Sequence, residues 1–314
     1  MLTRRHIRVK VMQSLYSMEQ TQSDDLIKEE KFLLFSIDQM YDLFLINLQL
    51  LVEIRKHAED FLSKSKKKYL ATSEDKNPNT KFVNNEVLLL LNKNEELKTI
   101  MEKKKLNCWE LDSEYVVILW EAIKESDIYK EYMRTTLSSF KEDKDFLLAI
   151  FKEVIAPNEK LFDYYEDKRL TWVDDLPLVN TAILKTLRKI KPTHTESLSL
   201  PDLYKDHDDR RFAIDIFRKT CLNGGEFGKE IDGRTPNWDK DRIAELDKAI
   251  INMAICEFVK FPSIPVKVTI NEYLEIAKEY STPKSSIFIN GILDKISKEY
   301  QENGKLQKVG RGLM

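Results

Sequence analysis

Residues 265–294 read PVKVTINEYLEIAKEYSTPKSSIFINGILD, and this stretch decides the fold. Its apolar residues recur at helical spacing, which predicts one helix at about 267–280 and a second at about 283–299. Thr282, followed directly by proline, is a strong start for the second helix because threonine caps a first turn and proline fits its first position. Gly291 lies in the middle of that helix, where glycine costs about 1 kcal/mol relative to alanine. We therefore expect a neighbouring helix to pack closely against Gly291.

Helical patterns also fill the rest of the chain, and strand alternation is scarce. Residues 4–20 and the longer segment 29–64 carry apolar residues at helical spacing. Residues 64–84 are polar and contain proline, so we expect an exposed loop there. The amphipathic stretch RRFAIDIFRKTCLNG is expected to end as a helix at Gly224 and Gly225. Further helices are predicted at about 85–104, 112–126, 127–141, 143–156, 171–192 and 239–259. The expected fold class is all-α.

The distribution of glycine excludes several kinds of site. All eight glycines of the 314-residue chain lie after residue 223. A Rossmann fingerprint, a P-loop and a nucleophile elbow each need glycine where the backbone approaches a ligand closely or takes a positive φ. None of these motifs can be placed in the first 223 residues.

The remaining composition contains no catalytic or metal-binding pattern. The four histidines lie in separate elements, and the three cysteines (Cys108, Cys221 and Cys256) are far apart and are expected to be reduced core residues of a cytoplasmic protein. No apolar run is long enough to span a membrane, and no secretory leader is recognisable. We expect no enzyme activity, no metal and no cofactor. The net charge is −2, so any nucleic-acid site must be a local patch.

The N-terminal helix carries such a patch. Arg4, Arg5 and Arg8 crowd its first two turns, where the helix dipole disfavours cations by roughly 0.3–1 kcal/mol each. This placement indicates a polyanionic neighbour. The alternative, a solvated basic chain end, is equally consistent with the pattern.

A second candidate anion site follows Thr282. Lys284, Ser285 and Ser286 occupy the predicted first turn of a helix, where backbone N–H groups and the helix dipole favour a phosphate. Ordinary helix capping explains the same residues and remains the alternative.

Several segments together resemble the NusB family of transcription antitermination factors. The opening RRHIR (4–8) and MQSLY (12–16) resemble the family's arginine-rich start. Asn237-Trp238, LDKAI (246–250) and ICEF (255–258) resemble one of its helices. Residues 265–278, Ser285 and FINGILD (288–294) resemble its two most specific motifs. The resemblance covers about 4–20 and 208–297.

The resemblance implies an all-α fold made of N- and C-terminal helical bundles. It implies an N-terminal helical subdomain at 1–235, which includes an inserted helical region at about 30–205, and a C-terminal NusB-like subdomain at 236–314. No motif explains the inserted region.

The resemblance also implies a function without catalysis. Members are expected to bind single-stranded boxA RNA of nascent ribosomal RNA transcripts, together with the ribosomal protein NusE, and to promote read-through in the RNA polymerase antitermination complex. Arg4, Arg5 and Arg8 fall on the family's RNA-binding start, and Lys284, Ser285 and Ser286 fall on a second RNA-facing loop. Lys284 departs from the acid that short members often carry.

Two other functions stay open. A helical protein–protein scaffold that has lost RNA binding would keep the same motifs. An accessory domain of an RNA methyltransferase would need a glycine-rich Rossmann-like domain after the helical one, and only 17 residues follow the last motif at residue 297. We therefore favour the protein–protein scaffold over the methyltransferase domain as the alternative function.

Overall fold

A computed structural model describes residues 1–67, 72, 76–193, 199–232 and 244–313. These residues form fourteen α-helices and no β-strand, which confirms the all-α prediction. Asn237-Trp238 of the sequence motifs and His194 lie outside the described residues. In chain order the helices are α1 Arg4–Gln20, α2 Leu26–Lys66, α3 Glu86–Asn92, α4 Glu95–Lys104, α5 Cys108–Leu111, α6 Ser113–Glu125, α7 Asp127–Tyr132, α8 Phe140–Ile150, α9 Glu159–Lys168, α10 Leu176–Lys189, α11 His207–Asp232, α12 Glu245–Lys260, α13 Val266–Tyr280 and α14 Ser285–Glu302. A π-helical turn follows α8 at Phe151–Ile155, and short 3₁₀ turns lie at Leu170–Trp172 and Gly310–Leu313.

Contacts divide the chain into two compact units. Unit 1 comprises Met1–Ile37 and Leu203–Met314, and unit 2 comprises Asp38–Asp202.

Unit 1 is organised around helix α12. Six consecutive residues of α12, from Met253 to Phe258, are at most 1% exposed, so the helix is enclosed on all sides. Helices α1, α11, α13 and α14 pack against it. Burial on every face is typical of the central helix of a bundle. Helix α1 spans the predicted residues 4–20 and buries Ile7, Val11 and Met12 against its neighbours.

Unit 2 has an aromatic core around helix α8 and the π-helical turn. Helices α3, α6, α7 and α10 pack against these two segments. The ring of Phe82 contacts that of Trp120 in a tilted arrangement, with 5.1 Å between ring centroids. It contacts that of Phe146 edge-on, with 6.0 Å between centroids. Trp109 and Tyr164 form a second ring cluster, at 5.4 Å. Aromatic pairs of this geometry add to the stabilisation from buried area.

The prediction of an exposed loop at 64–84 is wrong for the last residues of the segment. Lys81, Phe82 and Val83 are buried, and only the polar composition of the segment as a whole suggested exposure. The region predicted as one helix at 85–104 is two helices, α3 and α4. The side chain of Asn94 accepts a hydrogen bond from Leu97 N–H and thereby starts the second helix.

The predicted end of α11 at Gly224 and Gly225 is also wrong. The helix continues through both glycines to Asp232. Phe227 and Ile231 lie beyond the glycines and are only 3% exposed, so they extend the buried face of the helix by two turns. Burial of these side chains outweighs the cost of about 1 kcal/mol for each internal glycine.

Helix α14 begins at Ser285, and its N-cap is Lys284 rather than the predicted Thr282. The expected close helix contact at Gly291 is absent, because a Cβ at this position would meet no atom within 4 Å. Gly291 is exposed in the described structure.

The open space around Gly291 has a measurable consequence. Gly291→Ala is expected to stabilise the protein by about 0.5–1 kcal/mol, because alanine has the higher helix propensity and no clash opposes it. Urea denaturation followed by circular dichroism measures the change. The matched control is Gly304→Ala. Gly304 follows the same helix at φ +67°, where alanine is strained, so this substitution should destabilise the protein. A loss of stability in Gly291→Ala would contradict the open surface described here.

Candidate functional site

The three N-terminal arginines occupy two different environments. The side chains of Arg4 and Arg5 are 43% and 42% exposed, whereas that of Arg8 is 3% exposed. All three start from the first two turns of α1. Thr3 precedes this helix, and its backbone N–H donates to His6 Nδ1 at 3.1 Å.

Arg8 is held in a buried ion pair with Glu257 of α12. Its Nε and Nη2 donate to the two carboxylate oxygens at 2.9 and 2.8 Å. Glu257 also accepts from the hydroxyls of Thr269, at 2.7 Å, and Tyr273, at 3.3 Å. Burial alone lowers the pKa of Arg8, but the attraction and hydrogen bonds of Glu257 outweigh it and raise the pKa above its usual value. The charge of Arg8 is therefore paired with a carboxylate inside unit 1.

Arg4 and Arg5 are also paired with carboxylates, but at the surface. Arg5 donates from Nε and Nη2 to Glu272 of α13 at 3.0 and 2.9 Å, and its hydrogen bond lowers the pKa of the Glu272 carboxyl. Arg4 donates only from Nε, to Asp209 of α11 at 3.0 Å, while its guanidinium lies 5.1 Å from the ring centre of Phe212. A guanidinium has five N–H donors, so both arginines keep donors for a further acceptor.

A groove of about 790 Å³ runs beside these arginines. We call it the arginine groove. Its lining includes the charged residues Arg4, Arg5 and Arg311, and it also includes the apolar residues Ile264, Pro265 and Val268, which we call the apolar floor. The volume is within the range of small-molecule sites. Cations above an apolar floor suit a ligand that is both anionic and aromatic.

The second predicted anion site is only half accessible. The Ser285 hydroxyl is buried and donates to Asp247 of α12 at 2.7 Å. Lys284 is exposed and Ser286 is half-buried. None of the three residues is among those that line the arginine groove. Ser285 is thus committed to the packing of α14 on α12.

Sequence reasoning missed Arg311 and the carboxylates that pair with the arginines. Asp209, Glu257 and Glu272 lie more than 200 residues from their partners, and nothing local to the N-terminal helix predicts them. Arg311 belongs to a short basic tail, which carries no periodic pattern.

The cysteines are poor candidates for nucleophiles. Burial raises the pKa of Cys108 and Cys256 to about 11 and that of Cys221 to about 12. The thiolate is the reactive form, so these thiols are protonated near neutral pH. Among the described residues there is no group of three or more histidine, cysteine or acidic side chains placed to hold a metal ion. No helix in the described part of the chain is long and apolar enough to cross a membrane.

Fold and groove together define an all-α protein with an arginine-lined surface groove. The model of the NusB family matches residues 179–298. The transcription antitermination protein NusB of Salinibacter ruber is 41% identical over 112 residues, which cover 36% of this chain and 70% of that protein. The chain belongs to the NusB family.

Two further relatives agree with this assignment. The NusB protein of Chloroherpeton thalassium is 40% identical over 113 residues, covering 36% of this chain and 54% of that protein. The NusB protein of Koribacter versatilis is 39% identical over 100 residues, covering 32% of this chain and 68% of that protein. No solved structure matches the chain. The family match begins at residue 179, inside the region predicted to be an insertion, and it does not include the N-terminal helix.

Proposed function

We propose that this protein is an RNA-binding transcription antitermination factor without enzyme activity, acting in the cytoplasm. It binds single-stranded boxA RNA of nascent ribosomal RNA transcripts, together with the ribosomal protein NusE, and promotes read-through by RNA polymerase. The observation that carries the proposal is the arginine groove in a member of the NusB family.

The groove offers the two kinds of contact that single-stranded RNA needs. Arg4 and Arg5 have free N–H donors for phosphate oxygens, and charge-assisted bonds of this kind are about twice as strong as neutral ones. Val268 is 44% exposed and provides apolar surface for an unstacked base. Arg8 acts indirectly in this proposal, because its bond to Glu257 holds α1 against α12 and so sets where Arg4 and Arg5 emerge.

The loop before α14 supplies a second contact in the proposal. Lys284 is exposed and offers an ammonium to phosphate, with the half-buried Ser286 beside it. Ser285 holds the loop in place through Asp247.

Changing both Arg4 and Arg5 to alanine tests the proposal. We expect boxA RNA affinity to fall about tenfold or more, because two charge-assisted phosphate contacts are lost. The slope of log affinity against log salt should fall by about 0.7 for each phosphate contact removed. Fluorescence anisotropy with a short boxA RNA, at salt concentrations from about 0.05 to about 0.3 M, measures both.

Arg134→Ala is the matched control. Arg134 is an exposed arginine of unit 2, paired with Glu131 at 2.8 Å, and its replacement makes the same change in net charge per site. If the double variant binds RNA with unchanged affinity and slope, the RNA-binding assignment is wrong, and the protein–protein scaffold becomes the better explanation.

Residues 38–178 are proposed to be the part that distinguishes this chain from shorter family members. They lie in unit 2 and precede the family match at residues 179–298. If unit 2 serves a partner protein, RNA affinity of unit 1 should not depend on it.

A further inference from the structure

The C-terminal tail is docked on the end of helix α12. Lys308 Nζ donates to the backbone carbonyls of Glu257, at 3.2 Å, and Phe261, at 3.0 Å. Val309 N–H donates to Pro262 O at 3.1 Å. The last carbonyls of a helix have no partner within it, so a lysine here both satisfies them and complements the helix dipole. Burial lowers the pKa of Lys308, which agrees with its enclosed position.

Gly312 fixes the tail in this position. It is buried, and a Cβ atom at this position would lie 2.0 Å from Pro262 O. Because that neighbour is backbone, the clash cannot be relieved by turning a side chain. Only glycine allows the chain to pass this close to the loop after α12.

The docked tail places Arg311 among the residues that line the arginine groove. Arg311 is exposed, and it forms no ion pair with any residue that the structure describes. Each of the other three arginines of the groove has a carboxylate partner, namely Asp209, Glu272 or Glu257. The excess positive charge of this arrangement therefore resides on Arg311.

We propose that Arg311 is a further RNA-binding residue, which the docked tail holds in the arginine groove to bind a phosphate of single-stranded RNA. The base next to that phosphate lies on the apolar floor formed by Ile264, Pro265 and Val268. An arginine without a carboxylate partner can direct its full charge to a phosphate. Arg4 and Arg5 must instead share their charge between the phosphate and their carboxylate partners. This inference rests on the proposed function, and it assigns to the tail a role that no sequence motif indicates.

Arg311→Ala tests the contact itself. We expect boxA affinity to fall about fivefold to tenfold at about 0.1 M salt, with the salt slope lower by about 0.7. Arg311→Lys keeps the charge and should recover part of the affinity. The melting temperature should stay unchanged, because the Arg311 side chain is exposed and forms no ion pair within the described part of the chain. Arg134→Ala again serves as the control for the loss of one exposed arginine.

Gly312→Ala tests whether the tail positions Arg311. The added Cβ should displace the tail, which trypsin detects as faster cleavage after Lys308. RNA affinity should fall as far as in Arg311→Ala. The double variant should bind no more weakly than either single one, because both changes remove the same contact.

The outcomes separate the inference from the proposed function. If the Arg4 and Arg5 double variant loses affinity while Arg311→Ala binds as the wild type does, Arg311 is not an RNA contact and the proposed function stands. If Gly312→Ala releases the tail without loss of affinity, the tail does not position the contact. If the wild-type protein does not bind boxA RNA, both the function and the inference are wrong.

Discussion

Arg8→Ala is expected to destabilise unit 1 by about 3–5 kcal/mol, the range for removing one partner of a buried ion pair. Glu257 is fully buried and loses its bidentate partner, so its carboxylate is left with only the Thr269 and Tyr273 hydroxyls. For a unit of this size the melting temperature should fall by about 10 °C. Circular dichroism measures the transition, and hydrogen exchange of the α12 amides assigns it to unit 1.

Two other variants sharpen this result. Arg211 of α11 is 80% exposed, and Arg211→Ala should change stability by less than about 0.5 kcal/mol. Replacing Arg8 with methionine and Glu257 with leucine together should restore most of the stability, because a well-packed apolar pair avoids the buried unpaired charge. If the Arg8→Ala protein has the melting temperature of the wild type, the ion pair does not hold α1 on α12.

Asp143→Ala is expected to destabilise unit 2 by about 3 kcal/mol. Asp143 of α8 is 1% exposed and accepts hydrogen bonds from the Tyr132 hydroxyl, at 2.5 Å, and from Glu86 N–H at the start of α3, at 2.7 Å. Its removal leaves both donors without this acceptor, and hydrogen bonds to a charged group contribute about 1.5–3 kcal/mol each. Burial and the bond to Asp143 raise the pKa of Tyr132, so the hydroxyl stays protonated and needs an acceptor.

Tryptophan fluorescence is suited to this measurement, since three of the four tryptophans, at 109, 120 and 172, lie in unit 2. The matched control is Asp145→Ala, which removes an exposed carboxylate from the same helix two residues away. Equal denaturation midpoints for the two variants would refute the role assigned to Asp143.

Helix positions with a strong local pattern were predictable from the sequence. Helix α1 begins and ends where its apolar spacing indicates, and α13 begins one residue earlier than predicted. The C-terminal end of α11 and the start of α14 were not predictable. Glycine is a good local stop signal, but α11 continues beyond two glycines because Phe227 and Ile231 are buried.

Residue type could suggest the candidate site but could not distinguish its members. Arg4, Arg5 and Arg8 look alike in the sequence, and so do Lys284, Ser285 and Ser286. Their assignment to RNA remains a proposal. The structure separates them by burial and by partners, since Arg8 and Ser285 are committed to Glu257 and Asp247.

The sequence by itself determined the all-α class, the main helices and the family resemblance, because helix formation depends on side chains three and four residues apart. The tertiary structure alone decided which arginines of the groove are paired with carboxylates, and that Arg311 forms no ion pair with any residue that the structure describes. Arg8 meets Glu257 across 249 residues of chain, and Arg311 reaches the groove only because Gly312 lets the tail pack on Pro262. Such pairings depend on how distant segments pack, and local periodicity carries no information about that.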